Sequence, residues 1–185
     1  MSEQPAAGLA QLSLRPAGAA DVPALAALEQ VCFTRPWSQA QLQATCRNPL
    51  ARIWVALGPA LDLRAARQPA AAATGSPPAD RLLGYISWVQ VLDTAEINNL
   101  AVAPACRRQG VGRRLLQLMQ AQSTAAGALT ARLEVAETNW AARELYRSCG
   151  FYEVGRRKGY YAGTDALLMD CRLDTENLPD LYKKY

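Results

Sequence analysis

One stretch of the chain organises the rest: residues 97–116, which read INNLAVAPACRRQGVGRRLL. The apolar residues around Leu100 and Val102 predict a strand that stops at Pro104. From Val111 onward the apolar side chains recur at helical spacing, which predicts a helix that begins as the loop ends. The stretch therefore predicts a strand, a basic loop and a helix in immediate succession.

The loop has the features of an anion site. The first N–H groups of a helix have no partner within the helix, and the helix dipole is positive at that end. Gly110 and Gly112 allow an anion to approach the backbone closely, and the flanking arginines add charge, which favours a pyrophosphate cradle. The alternative to an anion site is that the two glycines only cap a helix whose basic face is solvated. The loop is neither a Walker loop nor a dinucleotide fingerprint, because Gly-Lys-Ser/Thr and a third glycine are both missing.

Composition narrows the possible functions. A chain of 185 residues, half of them apolar, predicts one domain, with no run close to the ~18 residues of a membrane span and no secretion signal. Five scattered cysteines without a Cys-x-x-Cys motif predict reduced thiols and a cytoplasmic location. There is no histidine, so we expect no metal site and acid–base chemistry by Glu, Asp, Tyr or a thiol. A net charge of +4 with locally clustered arginines predicts no direct nucleic-acid partner and no membrane partner.

The rest of the pattern predicts a single α/β domain around one mixed sheet. Strands are expected at residues 12–15, 51–57, 81–92, 95–102, 129–135, 151–161 and 166–173. Helices are expected from Val22 to Val31 after an Asp21 cap, from a Ser38 cap to Cys46, from Val111 to Ala126 and from Trp140 to Cys149. Since a helix joins strands 95–102 and 129–135, these two should be parallel, whereas strands 81–92 and 95–102 form an antiparallel meander around Asp93-Thr94.

Three segments fall outside the predicted domain core. Residues 1–11 are predicted to be a flexible leader, and residues 174–185 a polar tail, on either side of a domain at 12–173. Residues 58–80 are rich in Ala, Pro and Gly, which predicts an exposed, mobile insertion between two strands.

A second group of polar residues follows the strand at 129–135. Glu134 lies near the end of this apolar strand, where a carboxylate is rarely placed without a partner. Asn139 and Tyr146 are seven residues apart on the next helix and share a face. We expect all three to converge near the anion loop, the usual ligand position in an open α/β sheet. An ion pair with arginine for Glu134, an N-cap for Asn139 and a core ring for Tyr146 remain open alternatives.

Taken together, these motifs resemble the GNAT acetyltransferase superfamily and, within it, the RimI family of N-terminal alanine acetyltransferases. The matching signatures are Phe33-Thr34-Arg35-Pro36-Trp37-Ser38, Leu100-Ala101-Val102, Arg107-Arg108-Gln109-Gly110-Val111-Gly112-Arg113, Leu133-Glu134-Val135, Asn139, Leu145-Tyr146, Cys149-Gly150-Phe151 and Arg156-Arg157-Lys158-Gly159-Tyr160-Tyr161. The similarity extends over roughly residues 12–173. The insertion is unusually long for this family, and Gly159 stands where a bulkier polar residue is expected.

The resemblance implies a role for each matching position. The backbone of Leu100, Ala101 and Val102 is expected to hold the arm of acetyl-CoA, the co-substrate. Its pyrophosphate is expected at the loop residues Arg107, Arg108, Gln109, Gly110, Val111, Gly112 and Arg113, with Asn139 as a further contact. Glu134 is expected to be the general base and Tyr146 the general acid. The resemblance places Trp37, Tyr160 and Tyr161 at the substrate groove.

The resemblance also implies the reaction. We expect direct transfer of an acetyl group to a protein N-terminus in a ternary complex, with the N-terminal alanine of the eighteenth small-subunit ribosomal protein as the acceptor, by a monomer or weak dimer. A cysteine ping-pong route is disfavoured because no histidine can activate a thiol. Two alternatives remain: a GNAT enzyme for lysine or a small-molecule amine, and a non-catalytic acetyl-CoA-binding module.

Overall fold

The computed structural model of the protein describes residues 12–58, 81–161 and 163–174. The strands are β1 (Ser13–Pro16), β2 (Ala51–Gly58), β3 (Arg81–Val91), β4 (Thr94–Val102), β5 (Thr130–Ala136), β6 (Tyr152–Tyr161) and β7 (Thr164–Arg172). The helices are α1 (Val22–Cys32), α2 (Gln39–Arg47), α3 (Val111–Ala125) and α4 (Trp140–Arg147). The predicted leader, the tail beyond residue 174 and insertion residues 59–80 lie outside the described residues. No helix in the described ranges has the length and apolar character needed to cross a bilayer.

The described strands form one seven-stranded sheet in the order β1-β2-β3-β4-β5-β7-β6. Strands β4 and β5 are parallel because α3 carries the chain back across the sheet between them, whereas the other neighbouring pairs are antiparallel. The structure thus confirms the mixed α/β fold and the parallel pair that the sequence predicts.

The helices cover the two faces of the sheet separately. On one side, here called the α3 face, Leu115 and Met119 of α3 pack with Trp88 and Leu133 in the larger core. On the other side, the α1 face, Leu25 and Leu42 of α1 and α2 pack with Val55 and Tyr85 in a smaller core. Side chains alternate between the faces along each strand, so neighbouring strand residues serve different cores.

Two details of α1 differ from the simple sequence pattern. Asp21 occupies the N-cap position as predicted, but its side chain makes no capping hydrogen bond; its carboxylate accepts hydrogen bonds from Arg15 and from the N–H of Gly18 instead. Val31, an apolar residue near the end of the helix, is 63% exposed, whereas Glu29 occupies an inward position with no exposed surface. The helix turns its face at 22, 25 and 29 to the sheet, which leaves 31 on the outer side.

The other differences concern element ends. The β3–β4 turn is formed by Leu92 and Asp93, and Thr94 already belongs to β4. Helix α4 ends at Arg147 rather than Cys149, because the last N–H groups bond three residues back, with Cys149 donating to the Tyr146 carbonyl and Gly150 to that of Arg147.

Candidate active site

A split between β4 and β5 forms the centre of the candidate site. The two strands pair only from Thr94–Thr130 to Ile97–Leu133. Beyond that point β4 continues with β3 as its partner and β5 with β7. The register of β4 also shifts at this point, since Ile97 opposes Trp88 and Asn99 opposes Ser87, which leaves Asn98 as a bulge. The strands therefore leave a gap between residues 98–102 and 134–136, into which an extended ligand can insert.

The loop before α3 presents backbone donors. Arg108 has φ 61° and Gly110 has φ 85°, so the chain turns through left-handed conformations as it enters the helix. The first helical N–H bond found here is from Arg114 to the Gly110 carbonyl. Within the described residues, no group accepts a hydrogen bond from the N–H of residues 108–113. These donors at a helix N-terminus form a cradle suited to a phosphate group.

Helix α4 packs tightly against this helix start because residue 112 is glycine. A Cβ atom at Gly112 would lie 3.1 Å from Cδ2 of Leu145 and 3.6 Å from Cγ2 of Val102. The guanidinium of Arg113 reaches across to the Ser148 carbonyl at 3.5 Å. The close approach brings α4, and therefore Tyr146, next to the cradle.

Not every predicted loop side chain points at the cradle. The Arg107 Nε atom donates to the Val102 carbonyl at 3.1 Å, and the Cys32 thiol donates to the same carbonyl at 3.5 Å. Gln109 donates to the carbonyl of Ala105, which closes the loop on itself. The exposed side chains of Arg108 and Arg113 and the backbone N–H groups supply the positive potential of the cradle instead.

Asn139 and Tyr146 are positioned by α4. The Asn139 Oδ1 atom accepts from the N–H of Ala142 at 3.2 Å, so Asn139 is the N-cap of α4. Tyr146 is 8% exposed, and its ring packs at 5.8 Å from the Phe151 ring within the α3-face core. Asn139 is therefore a helix cap and Tyr146 a core ring, and both of these structural roles place the residue next to the split.

Glu134 lies on the opposite face from Tyr146. Its neighbours Leu133 and Val135 both enter the α3-face core, so the side chain between them points to the α1 face. The Glu134 Oε1 atom lies 2.9 Å from Nη2 of Arg157 on β6. The Glu134 side chain is 23% exposed, so it is not sealed from solvent.

The predicted groove residues also lie towards the α1 face. Trp37, in the connection between α1 and α2, is half-buried against the smaller core. The Tyr160 ring is exposed, and the Arg157 guanidinium carbon is 4.9 Å from its centre. The Gly159 N–H donates to Asp165 across the hairpin and lowers the pKa of that carboxyl. Tyr161 ends β6 opposite Thr164, and the structure describes only its backbone.

The predicted residues thus form two groups separated by the sheet. The cradle, Asn139 and Tyr146 lie at the α3 face, while Glu134, Trp37 and Tyr160 lie at the α1 face. A pyrophosphate-bearing carrier with an extended arm fits the α3 side, because free N–H groups follow directly on a strand with an open edge. A second substrate can then reach the split from the α1 face.

Sequence reasoning missed three polar residues at the α1 face: Glu29, Tyr85 and Asn99. The Tyr85 hydroxyl donates to Glu29, and Asn99 Nδ2 lies 2.9 Å from Oε1 of Glu29 and 3.0 Å from the Tyr85 hydroxyl. Burial and the bond to Glu29 raise the pKa of Tyr85. A carboxylate at an inward position of the α1 pattern was the available signal.

Comparisons with known proteins show what the chain is similar to. Residues 22–151 match the model of the Acetyltransferase (GNAT) family. The chain is 38% identical over 86 residues to the [Ribosomal protein bS18]-alanine N-acetyltransferase of Haemophilus ducreyi, covering 46% of this chain and 59% of that protein. It is 45% identical over 75 residues to the Escherichia coli protein of the same name, covering 40% of this chain and 51% of the relative. The chain thus spans about half the length of the curated relatives it matches.

A solved structure extends the similarity. The crystal structure of the ribosomal-protein-S18-alanine N-acetyltransferase from Escherichia coli superimposes with a TM-score of 0.71 at 27% identity, covering 88% of this chain and 94% of that one.

Proposed function

The chain belongs to the GNAT acetyltransferase family, whose members use acetyl-CoA, and we propose that it acetylates the N-terminal α-amine of a protein. The N-terminal alanine of ribosomal protein bS18 is the first acceptor to test, since relatives with that activity in their names match this chain. The observation that carries the proposal is the β4–β5 split, with Glu134 at one face and the cradle at the other.

Glu134 is the general base of the proposed reaction. An α-ammonium has a pKa near 8, so a fraction of it is neutral at physiological pH and a modest base completes deprotonation. Glu134 takes this proton, directly or through water, and the amine nitrogen then attacks the thioester carbonyl carbon. Open backbone N–H groups at the edge of β4 stabilise the developing oxyanion.

Tyr146 is the general acid. As the bond between the carbonyl carbon and sulfur breaks, the phenol donates its proton to the departing thiolate. Its position at the α3 face, next to the start of α3, suits a donor for a carrier that binds there. The opposite placement of Glu134 suits an acceptor that enters from the other face.

This division supports direct transfer in a ternary complex. Burial raises the pKa of the Cys106 and Cys149 thiols, which disfavours the thiolate that a covalent route requires. The five cysteines are free thiols, which supports the proposed cytoplasmic location. We further propose that the protein acts without a nucleic-acid or membrane partner, as a monomer or weak dimer.

Mass spectrometry of peptides incubated with the protein and acetyl-CoA tests the proposal. The set contains the N-terminal peptide of bS18, the same peptide with a blocked N-terminus, and a lysine-bearing peptide without a free N-terminus. Acetylation of the free alanine terminus alone supports α-amine specificity. Transfer to lysine instead identifies a broader GNAT enzyme. Binding of acetyl-CoA without transfer to any peptide or small amine identifies a binding module.

A further inference from the structure

A buried carboxylate joins three elements beneath the acceptor side of the split. Glu29 of α1 has no exposed surface. Its Oε1 atom accepts from the Tyr85 hydroxyl of β3 and from Nδ2 of Asn99 in β4, and its Oε2 atom accepts from the N–H of Trp37 at 2.6 Å. One side chain therefore connects α1 to two strands and to the loop before α2.

This carboxylate is costly to bury. An ionised carboxyl loses its hydration on burial and needs hydrogen bonds or a cation in return. None of the described arginines or lysines forms a salt bridge with Glu29. Neutral donors satisfy it instead, and an apolar residue at this inward position would pack without that cost. The Glu29 carboxylate is therefore not needed to fill this position. What it adds is hydrogen bonds that link α1 to β3, to β4 and to the loop before α2.

Two of the partners of Glu29, Trp37 and Asn99, border the proposed acceptor groove. This groove is the α1-face side of the split, where Trp37, Glu134 and Tyr160 lie. Asn99 follows the last β4–β5 pair by two residues, and it opposes Ser87 on the same face as Tyr85. Glu134, directly after the last paired residue of β5, points to that same face. Trp37 lies in the loop that covers the smaller core at this side. Glu29 thus sets the separation between the loop of Trp37 and the strand edge at Asn99.

We propose that Glu29 is a positioning residue for the acceptor peptide. It fixes the Trp37 backbone and the Asn99 amide relative to each other, so that the groove is formed before the peptide binds. This role rests on the proposed function and adds a requirement to it: the carboxylate affects acceptor binding and leaves acetyl-CoA binding at the other face unchanged.

The test is a steady-state comparison of Glu29→Leu, Glu29→Gln and the wild type, with the bS18 peptide and acetyl-CoA varied in turn. Leucine keeps the packing but removes every acceptor. Glutamine keeps one acceptor oxygen. Its amide N–H groups, however, then face one of the groups that donate hydrogen bonds to Glu29 in the wild type. Loss of bonds to a charged acceptor is expected to raise the peptide KM of Glu29→Leu by roughly tenfold or more, with Glu29→Gln intermediate. The KM for acetyl-CoA should stay within about twofold of the wild type.

Two further variants separate positioning from general damage. Asn99→Ala removes the hydrogen bonds from Nδ2 to Glu29 and to the Tyr85 hydroxyl at a partly exposed site, so it tests the same groove even if a Glu29 variant fails to fold. Its effect on the peptide KM should not add to that of Glu29→Gln, because both act through one network. Glu96→Gln changes an exposed carboxylate at the other end of β4 and should leave both KM values unchanged.

Amide hydrogen exchange at Trp37 provides a readout that needs no acceptor. The Trp37 N–H should exchange faster in Glu29→Leu than in the wild type, while the N–H of Leu133 in the central sheet keeps its protection. An unchanged peptide KM, or equal rises in both KM values, overturns the proposal. If the wild type acetylates no peptide, the proposed function fails, and Trp37 exchange decides the positioning role: equal rates in variant and wild type overturn it.

Discussion

Arg157 joins Glu134 to the last hairpin, with its Nη2 atom 2.9 Å from Oε1 of Glu134. The same guanidinium contacts the Tyr160 ring, so one side chain connects the proposed base to the proposed groove. A similar ion pair involves Glu137, three residues after Glu134, which lies 2.9 Å from Arg156. The two pairs share their chemistry and their hairpin, but only Glu134 lies on the strand that borders the split. They therefore provide an internal comparison between a carboxylate at the site and one beside it.

Glu134→Gln should lower kcat by at least about 10²-fold, the usual contribution of a general base. The KM for acetyl-CoA should change little, since the cofactor cradle lies on the other face. Glu137→Gln is the matched control and should retain kcat within about threefold. Stability should change little in either variant, because both ion pairs are partly exposed to solvent, which screens them. Equal kcat values for the two variants, measured with the bS18 peptide, would contradict the assignment of Glu134.

Tyr146→Phe keeps the ring that packs against Phe151 and removes only the hydroxyl. We expect kcat to fall by roughly 10²-fold if the phenol protonates the leaving thiolate. Unfolding in urea should show a stability change of about 1 kcal/mol or less. Tyr152→Phe, at a half-exposed tyrosine of β6, serves as the control for loss of a hydroxyl. A variant with the turnover of the wild type would exclude Tyr146 as the acid.

Gly110→Ala and Gly127→Ala compare the two ends of α3. The two glycines have φ values of 85° and 86°, so alanine strains the backbone by roughly 1 kcal/mol at each position. Only Gly110 lies in the cradle, and only its substitution should weaken acetyl-CoA binding, measured by calorimetry. Gly127→Ala has open space around the new Cβ and should affect stability alone. An equal loss of acetyl-CoA affinity in both variants would argue against the cradle.

Asp21→Asn should make the protein less stable at neutral pH. Hydrogen bonds from the Arg15 guanidinium hold the pKa of Asp21 below its ordinary value. A carboxyl with a lowered folded-state pKa stabilises the protein above its unfolded-state pKa, near 4, and loses that contribution as the pH falls through the folded-state value. The stability difference should be about 1 kcal/mol or less at pH 7, since Arg15 is partly exposed. Unfolding experiments from pH 7 downward should show it shrinking below about pH 4, and a constant difference would contradict this account.

Local signals explain how much of the fold could be predicted. The order of strands and helices follows from apolar spacing and from glycine, proline and Ser38, each of which acts within a few neighbouring residues. The parallel β4–β5 pair follows from the helix between them. The predicted C-terminal end of α4 and the predicted position of the β3–β4 turn are less accurate, because several neighbouring residues can end an element and the final hydrogen bonds decide between them.

The sequence by itself determined the fold class, the loop before α3 and the candidates Glu134, Asn139 and Tyr146, since these depend on residue types at short spacing. Only the tertiary structure decided which face of the sheet each candidate occupies and which partners it meets. The β4–β5 split, the pairing of Glu134 with Arg157 and the Glu29 cluster all belong to that second category. Glu29 meets Tyr85 and Asn99 across separations of 56 and 70 residues. A local pattern cannot specify such partners, because folding brings them together only once the sheet and its helices have packed.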